Sequence, residues 1–73
     1  MERDTTGTRS IVLNGDPHEA AAATLAELLD ELQLGDRPVA TLVNDEIVRR
    51  ADRAGRVLSA GDRVEVVSMV GGG

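Results

Sequence analysis

Residues 61–73 read Gly-Asp-Arg-Val-Glu-Val-Val-Ser-Met-Val-Gly-Gly-Gly, and this stretch decides the fold that we predict. Gly61-Asp62 is a turn signal, and the residues after it alternate in the manner of a half-buried strand. The alternation gives the strand two faces, with Val64 and Val66 on one and Glu65, Val67 and Met69 on the other. Because the strand runs directly into three glycines, we expect it to present the terminal carboxylate of Gly73.

The three terminal glycines suit an extended tail that enters a narrow channel. Glycine adopts φ values closed to other residues, and its missing Cβ lets the backbone approach partner atoms closely. Six extended residues reach about 20 Å. We therefore expect Gly71 and Gly72 to deliver the Gly73 carboxylate to a partner. A terminus without function is the competing interpretation.

Val67 and Met69 lie just before this tail, on the strand face opposite the predicted core. They are candidates for an exposed apolar patch that partners bind. The alternative is that both are ordinary sheet-face residues, partly covered by neighbouring strands.

Composition limits the functions open to the chain. Its 73 residues allow one small domain, without cysteine, aromatic residues or lysine. The formal charge of −5 repels phosphate backbones, so we expect no nucleic-acid partner. No apolar run approaches the roughly 20 residues that span a bilayer, and residues 1–8 lack the apolar core of a signal peptide. We expect a cytoplasmic protein without a metal site.

The first half of the chain contains one firm helix and one ambiguous segment. Ser10–Leu13 reads as a strand, and Asn14-Gly15 favours a type I′ hairpin turn. Residues 17–23 carry helix-start signals and alanines, yet they lack an apolar anchor, so we favour a returning edge strand. Thr24-Leu-Ala-Glu27 is a capping box, and leucines recur behind it at helical spacing, at positions 25, 28, 29 and 32. Gly35 is predicted at C′, where the chain turns left-handed.

The second half reads as strands joined by turns. We predict a strand from Val39 to Val43, a turn at Asn44-Asp45, a short strand at Ile47-Val48, a loop with a helical turn over 51–60, and a last strand from Arg63 to Val70. One amphipathic helix across a mixed sheet defines an α+β fold of the ubiquitin-like β-grasp type. We divide the chain into a flexible arm (1–8), the β-grasp domain (9–70) and a flexible glycine tail (71–73).

Other polar residues are better explained by solvation than by chemistry. The carboxylates at positions 27, 30, 31 and 36 resemble a cluster, but their spacing is typical of a solvated helix face. His18 is predicted at an unremarkable surface position, and Arg49 and Arg50 in a charged turn or at a partner contact. Glu46, Asp62 and Glu65 could pair with arginines of an activating enzyme or simply aid solubility.

The chain resembles the small sulfur-carrier family of thiamine biosynthesis, which is related to the molybdopterin synthase small subunit. The likeness covers about residues 10–73 and depends on four segments: Val12-Leu-Asn-Gly15, Thr24-Leu-Ala-Glu-Leu-Leu29, Val43-Asn-Asp-Glu-Ile-Val48, and Gly61-Asp-Arg-Val-Glu-Val66 with the terminal glycines. The last segment is the most specific, because it joins the fold to the chemistry. The third glycine departs from the usual two.

The resemblance implies a protein cosubstrate without enzymatic activity and without a bound cofactor. Its partners would be an E1-like adenylating enzyme that consumes ATP, a sulfur donor protein and thiazole synthase. Gly73 would be adenylated and then converted to a thiocarboxylate that donates sulfur. Sulfur carriers of molybdopterin or cysteine synthesis, a ubiquitin-like protein modifier, and a passive interaction domain are the alternatives.

Overall fold

The structure, a computed structural model, describes residues 8–69. Its elements in chain order are β1 (Arg9–Leu13), β2 (Asp16–Ala20), α1 (Leu25–Glu31), β3 (Val39–Val43), β4 (Glu46–Val48), a 3₁₀ helix (Arg50–Gly55) and β5 (Arg63–Ser68). The strands form one mixed sheet in the order β2-β1-β5-β3-β4. β5 therefore lies at the centre, parallel to β1 and antiparallel to β3. This topology confirms the predicted β-grasp fold.

Both hairpins close through two-residue turns that begin with asparagine. Asn14 and Gly15 have φ of 50° and 88°, and Asn44 and Asp45 have φ of 52° and 71°. Positive φ at both central residues is the type I′ geometry, which matches the right-handed twist of the flanking strands. The structure thus confirms both predicted turns.

The ambiguous segment 17–23 contains the edge strand that we favoured over a helix. In β2, His18 lies opposite Ile11 and Ala20 lies opposite Arg9, so both face the core side of the sheet. Ala20 is completely buried and Ala22 nearly so. Both alanines belong to the core cluster that also contains Leu25 and Leu28 of α1.

Helix α1 begins at the predicted cap. The Thr24 hydroxyl accepts a hydrogen bond from the Glu27 amide at 3.2 Å. The Glu27 carboxylate accepts from the Ala23 amide at 2.8 Å, one residue earlier than in the usual reciprocal box. The predicted apolar stripe is also confirmed: Leu25, Leu28 and Leu29 are buried, and the fourth leucine packs against the same cluster.

The predicted end of α1 was wrong. The left-handed residue is Gln33, with φ of 63°, and Gly35 has no positive φ. The Gln33 amide bonds to the Asp30 carbonyl and the Leu34 amide to the Leu29 carbonyl, which is the Schellman pattern with Gln33 at C′. These two bonds and the burial of Leu29 fix the chain reversal two residues before the glycine. Gly35 matters instead because a Cβ there would meet the Asp30 carboxylate.

The core lies between the sheet and α1. It consists of apolar side chains from four strands, α1 and two connecting segments: Ile11, Ala20, Ala22, Leu25, Leu28, Val43, Leu58 and Val64. Leu58 comes from the loop after the 3₁₀ helix, and its backbone amide donates to the Ala23 carbonyl at 2.9 Å. The core contains no aromatic ring because the sequence has none.

One charged residue, Arg53, is buried at the edge of this core and is 8% exposed. Its Nε donates to the Thr41 hydroxyl at 3.1 Å, and Nη2 donates to the Val39 carbonyl at 2.7 Å. The Thr41 hydroxyl donates in turn to the Val48 carbonyl at 2.8 Å. Burial, and to a lesser extent the charge of Arg50, lowers the pKa of Arg53 below the usual arginine value. Arg53 thus joins the 3₁₀ helix to β3 where β4 has ended.

Candidate functional site

The candidate site is the C-terminal half of β5, which precedes the tail. β5 pairs with β3 over five residues, from Val64 opposite Val43 to Ser68 opposite Val39. The Met69 amide extends this contact by donating to the Pro38 carbonyl at 2.8 Å. The strand is therefore held along its length on the β3 side up to the last described residue.

On the side of β1, the asparagine of the first hairpin turn continues the support. β1 pairs with β5 only at Arg63 and Val64. Beyond that point the Asn14 side chain takes the place of a strand residue, since its carbonyl oxygen accepts from the Val66 amide at 2.8 Å. The backbone amide of Asn14 donates to the Val64 carbonyl at 2.9 Å. Asn14 is thus both a turn residue and a lateral anchor of β5.

The asparagine of the second hairpin turn fixes the start of β5. The Asn44 side-chain carbonyl accepts from the Arg63 amide at 2.9 Å, and its Nδ2 donates to Asp62 at 3.1 Å. Asp62 also accepts from the Ser59 amide at 2.8 Å. Sequence reasoning read these asparagines only as turn residues. The sequence shows that both turns begin with asparagine, as Asn-Gly and Asn-Asp. It does not show that both side chains bond to β5, because those bonds depend on the tertiary structure.

The two faces of β5 have opposite characters. Val64 is 1% exposed and belongs to the core, whereas Val67 and Met69 are 50% and 62% exposed. Val67 lies opposite Ala40, and Leu42 of β3 lies opposite Ile47 of β4, which is 76% exposed. We call this surface the outer-face patch; it consists of Ala40, Leu42, Ile47, Val67 and Met69. The predicted separation of faces is confirmed, while partner binding by Val67 and Met69 stays a prediction.

The residues predicted to react lie beyond this point. Gly71, Gly72 and Gly73, and Val70 at the predicted end of the strand, are outside the described residues 8–69, as are residues 1–7 of the predicted arm. What the structure establishes is their attachment point. The tail follows a central strand whose last described residue is hydrogen-bonded to the β3 side.

Charged residues of both signs lie near the patch, in β5 and in the turn before β4. Glu65 and Glu46 are exposed, and the exposed Asp45 carboxylate pairs with the Arg63 guanidinium at 3.1 Å. The Asp62 carboxylate, which we predicted as a possible partner contact, accepts from the Ser59 amide and from Asn44 Nδ2 within the fold. The remaining carboxylates suit a partner surface that carries arginines or lysines.

His18 differs from the surface position that we predicted. It is half-buried on the core side of edge strand β2, and its Nε2 lies 3.6 Å from a carboxylate oxygen of Glu31 on α1. The register of the hairpin causes this placement, because His18 lies opposite the buried Ile11. The other Glu31 oxygen accepts from the Ala22 amide at 3.0 Å, so this pair links the edge strand to the helix.

The structure also bears on metal sites and membrane spans. Among residues 8–69, no three histidine or acidic side chains are grouped so that they could hold a metal ion. The helix-face carboxylates that we weighed as a cluster are exposed. Within the same residues, no helix combines the length and hydropathy needed to cross a membrane.

A β-grasp domain with a braced central strand, an exposed apolar face and a glycine tail defines the class of small carriers and modifiers that act through their C-terminus. The ThiS family model matches residues 11–73. The chain is 39% identical over 61 residues to the sulfur carrier protein ThiS of Thermus thermophilus, which covers 84% of this chain and 95% of that protein. The chain belongs to the ThiS family, as the resemblance predicted.

Further similarities agree with this assignment. The crystal structure of a thiamine biosynthesis protein (ThiS) from Geobacter metallireducens superimposes with a TM-score of 0.73 at 28% identity, covering 88% of this chain and 99% of that one. A thiazole synthase from Paramagnetospirillum magneticum is 38% identical over 64 residues, and another from Magnetococcus marinus is 42% identical. The match covers 86% of this chain but only 20% of each synthase.

Proposed function

We propose that this chain carries sulfur on Gly73 for the formation of the thiamine thiazole. Membership of the ThiS family supports the carrier role, and the occurrence of a similar segment within two thiazole synthases supports that enzyme class as the acceptor of the sulfur. The observation that carries the proposal is the position of the exposed Val67 and Met69 on a braced central strand, directly before the glycine tail.

The chemistry requires an activating partner. The α-carboxyl group has a pKa of about 3.3 to 3.7, so it is a carboxylate at neutral pH and a poor electrophile. In our proposal an E1-like enzyme joins the Gly73 carboxylate to AMP from ATP, with release of pyrophosphate. Sulfide-level sulfur delivered by a sulfur donor protein then attacks the carbonyl carbon of the adenylate. The bond to AMP breaks, a C–S bond forms, and Gly73 is left as a thiocarboxylate. ATP is thus consumed on the partner, and this chain needs no bound cofactor.

The division of roles follows from the two faces of β5. The outer-face patch and the acidic residues beside it would dock on the adenylating enzyme, while Gly71 and Gly72 would lead Gly73 into its nucleotide site. The core face holds the strand in place during this contact. A strand that its neighbours already hold in place reduces the ordering cost of docking.

Intact mass spectrometry tests the carrier role. After incubation with ATP, an adenylating enzyme and a sulfur donor, the mass should rise by the difference between sulfur and oxygen, with the change located at Gly73. Deletion of Gly72 and Gly73 should abolish the change while the circular dichroism spectrum stays the same. Covalent conjugates that survive thiol and hydroxylamine would instead identify a protein modifier.

A matched pair of valines tests the docking surface. Val67→Glu places a charge in the outer-face patch, and we expect it to slow the mass change strongly by raising the KM for this chain. Val57→Glu is the control, because Val57 is 62% exposed and bridges to Thr24 at the start of α1, away from the patch. Equal rates for the two variants would remove the outer-face patch from the docking surface.

A further inference from the structure

The C-terminal half of β5 runs past the end of its parallel neighbour β1. β1 ends at Leu13, which lies opposite Val64. The backbone amide of Asn14 still donates to the Val64 carbonyl. Because alternate residues of a strand bond to the same neighbour, the next β5 group that faces β1 is the amide of Val66. In a ladder that continued, the backbone carbonyl of Asn14 would accept from it.

The side chain of Asn14 takes the place of that missing carbonyl. The chain turns away from β5 at Asn14, where φ is 50°, and the side-chain oxygen accepts from the Val66 amide at 2.8 Å. Asparagine suits both tasks, because it tolerates the left-handed conformation and its side-chain oxygen is an amide acceptor like a peptide carbonyl. One residue therefore ends β1 and extends the support of β5.

Strand β3, on the other side of β5, cannot supply this bond. The Met69 amide donates to the Pro38 carbonyl on the β3 side, and alternation directs the backbone groups of Val67 to that side as well. The amide of Val66 therefore points away from β3. Without the Asn14 oxygen, β5 would lose its lateral hold at this amide and would open there more easily, as an edge strand does.

We propose that Asn14 is a positioning residue for the reaction at Gly73 and acts through the end of β5. This role rests on the proposed function, since it concerns how the tail is offered to the adenylating enzyme. Val67 and Met69, the exposed β5 members of the outer-face patch, lie just beyond Val66. An anchored Val66 holds these side chains and the attachment point of the tail in one arrangement, so fewer residues have to be ordered when the enzyme binds.

Glycine at position 14 isolates the contribution of the side chain. Asn14→Gly keeps the positive φ that the turn requires and removes the oxygen that holds Val66. Ordering the backbone of one additional residue costs about as much as a tenfold change in an equilibrium constant, so kcat/KM for thiocarboxylate formation should fall about tenfold. Asn14→Asp retains an acceptor oxygen and tolerates the same φ, so it should restore kcat/KM to within about twofold of the wild-type value.

Asn44 provides a matched control at the other end of the strand. It begins the second hairpin turn with φ of 52°, and its side-chain oxygen accepts from the Arg63 amide at 2.9 Å. Asn44→Gly removes this bond to β5 and also the bond to Asp62. It should therefore lower the stability at least as much as Asn14→Gly does. Its kcat/KM should stay at the wild-type value, because Arg63 begins the strand and the tail follows its far end.

Two measurements on the full chain test the proposal. Intact mass spectrometry with the adenylating enzyme, ATP and the sulfur donor, over a range of concentrations of this chain, gives kcat/KM. Amide hydrogen exchange reports on β5 without any partner, and exchange at Val66 should be faster in Asn14→Gly but unchanged in Asn14→Asp and Asn44→Gly.

The two measurements separate this role from the carrier role. A wild type whose mass does not change would refute the proposed function, while exchange at Val66 would still report whether Asn14 anchors the strand. Where the wild type reacts, three results would each overturn the positioning role: wild-type kcat/KM in Asn14→Gly, equal losses in Asn14→Gly and Asn44→Gly, or unchanged exchange at Val66.

Discussion

Replacing the buried Arg53 by methionine should lower the stability of the domain more than any other single change to a charged side chain among the described residues. Arg53→Met keeps an unbranched stem that can fill the same space, and it removes the guanidinium. The Val39 carbonyl then loses the donor that lies 2.7 Å away, and the Thr41 hydroxyl loses the donor at 3.1 Å. Thr41 still donates to Val48 and so stays partly satisfied.

The magnitude follows from these two bonds and the cost that opposes them. Hydrogen bonds from a charged donor contribute about 1.5 to 3 kcal/mol each. The lowered pKa of Arg53 reports the opposing cost of burying its charge. We expect a net loss of about 2 to 3 kcal/mol, against a total of about 4 to 11 kcal/mol for a domain of this size. The corresponding fall in Tm is about 10 to 20 °C.

The sign of the pKa shift adds a condition. A basic group whose pKa is lower in the folded state binds protons less tightly there than in the unfolded state. Its charge therefore opposes folding until the pH rises through the pKa of the unfolded state. That window lies in the strongly alkaline range. The loss caused by Arg53→Met should therefore be the same throughout the neutral range.

Urea unfolding at neutral pH provides the assay, with Arg50→Met as the matched control. Arg50 is exposed and belongs to the same 3₁₀ helix, and its positive charge repels that of Arg53. Its replacement should change stability by less than about 0.5 kcal/mol, in the stabilising direction. If Arg53→Met and Arg50→Met differ by less than about 0.5 kcal/mol, the buried hydrogen bonds do not stabilise the fold and the reasoning fails.

Substitutions at the two ends of α1 and in the second hairpin turn test local structure by thermal or urea unfolding. Gln33→Gly should stabilise by about 0.5 to 1 kcal/mol because the left-handed C′ position suits glycine. Gly35→Ala, made in an Asp30→Ala background so that no carboxylate meets the new Cβ, should change stability by less than about 0.5 kcal/mol; a loss of about 1 kcal/mol there would contradict the observed helix end. Thr24→Ala should cost about 1 kcal/mol, and Thr24→Ser should restore most of it. Asn44→Ala should cost about 1 kcal/mol because it removes the side-chain oxygen that accepts from the Arg63 amide. Hydrogen exchange at that amide, the first of β5, should become faster.

Local signals were sufficient for most of the fold. The two asparagine turns, the Thr24 cap and the alternation of β5 each involve neighbours in sequence, so propensity and periodicity identify them. We preferred a strand to a helix for 17–23 only because the segment lacks an apolar anchor. The positive evidence for the strand is the register of β2 against β1, which the structure shows. Gly35 misled because a glycine near a helix end usually marks C′, whereas here Leu29 and its hydrogen bond set the end earlier.

Long-range contacts account for what the sequence could not reveal. Arg53 stands in the segment 51–60 that we predicted as a loop with a helical turn. Its burial depends on Thr41 and Val39, at least twelve residues away. The same holds for the Asn14 side chain, whose partner Val66 is 52 residues away. Of the outer-face patch, the sequence predicted only Val67 and Met69. Its other members belong to β3 and β4, which the strand order brings beside β5.

The central position of β5 explains how one short strand serves stability and recognition without conflict. Its inner face is fixed by the core, its lateral groups by β3 and the two turn asparagines, and its outer face makes few contacts within the fold. Substitutions on the inner face, such as at Val64, should therefore change the free energy of unfolding, while those at Val67 should change partner affinity with little effect on stability. A tail attached to an edge strand would lack this separation, because local opening of the edge would move the tail as well. In the proposed function, the reaction at Gly73 is therefore tuned through the outer face while the fold stays constant.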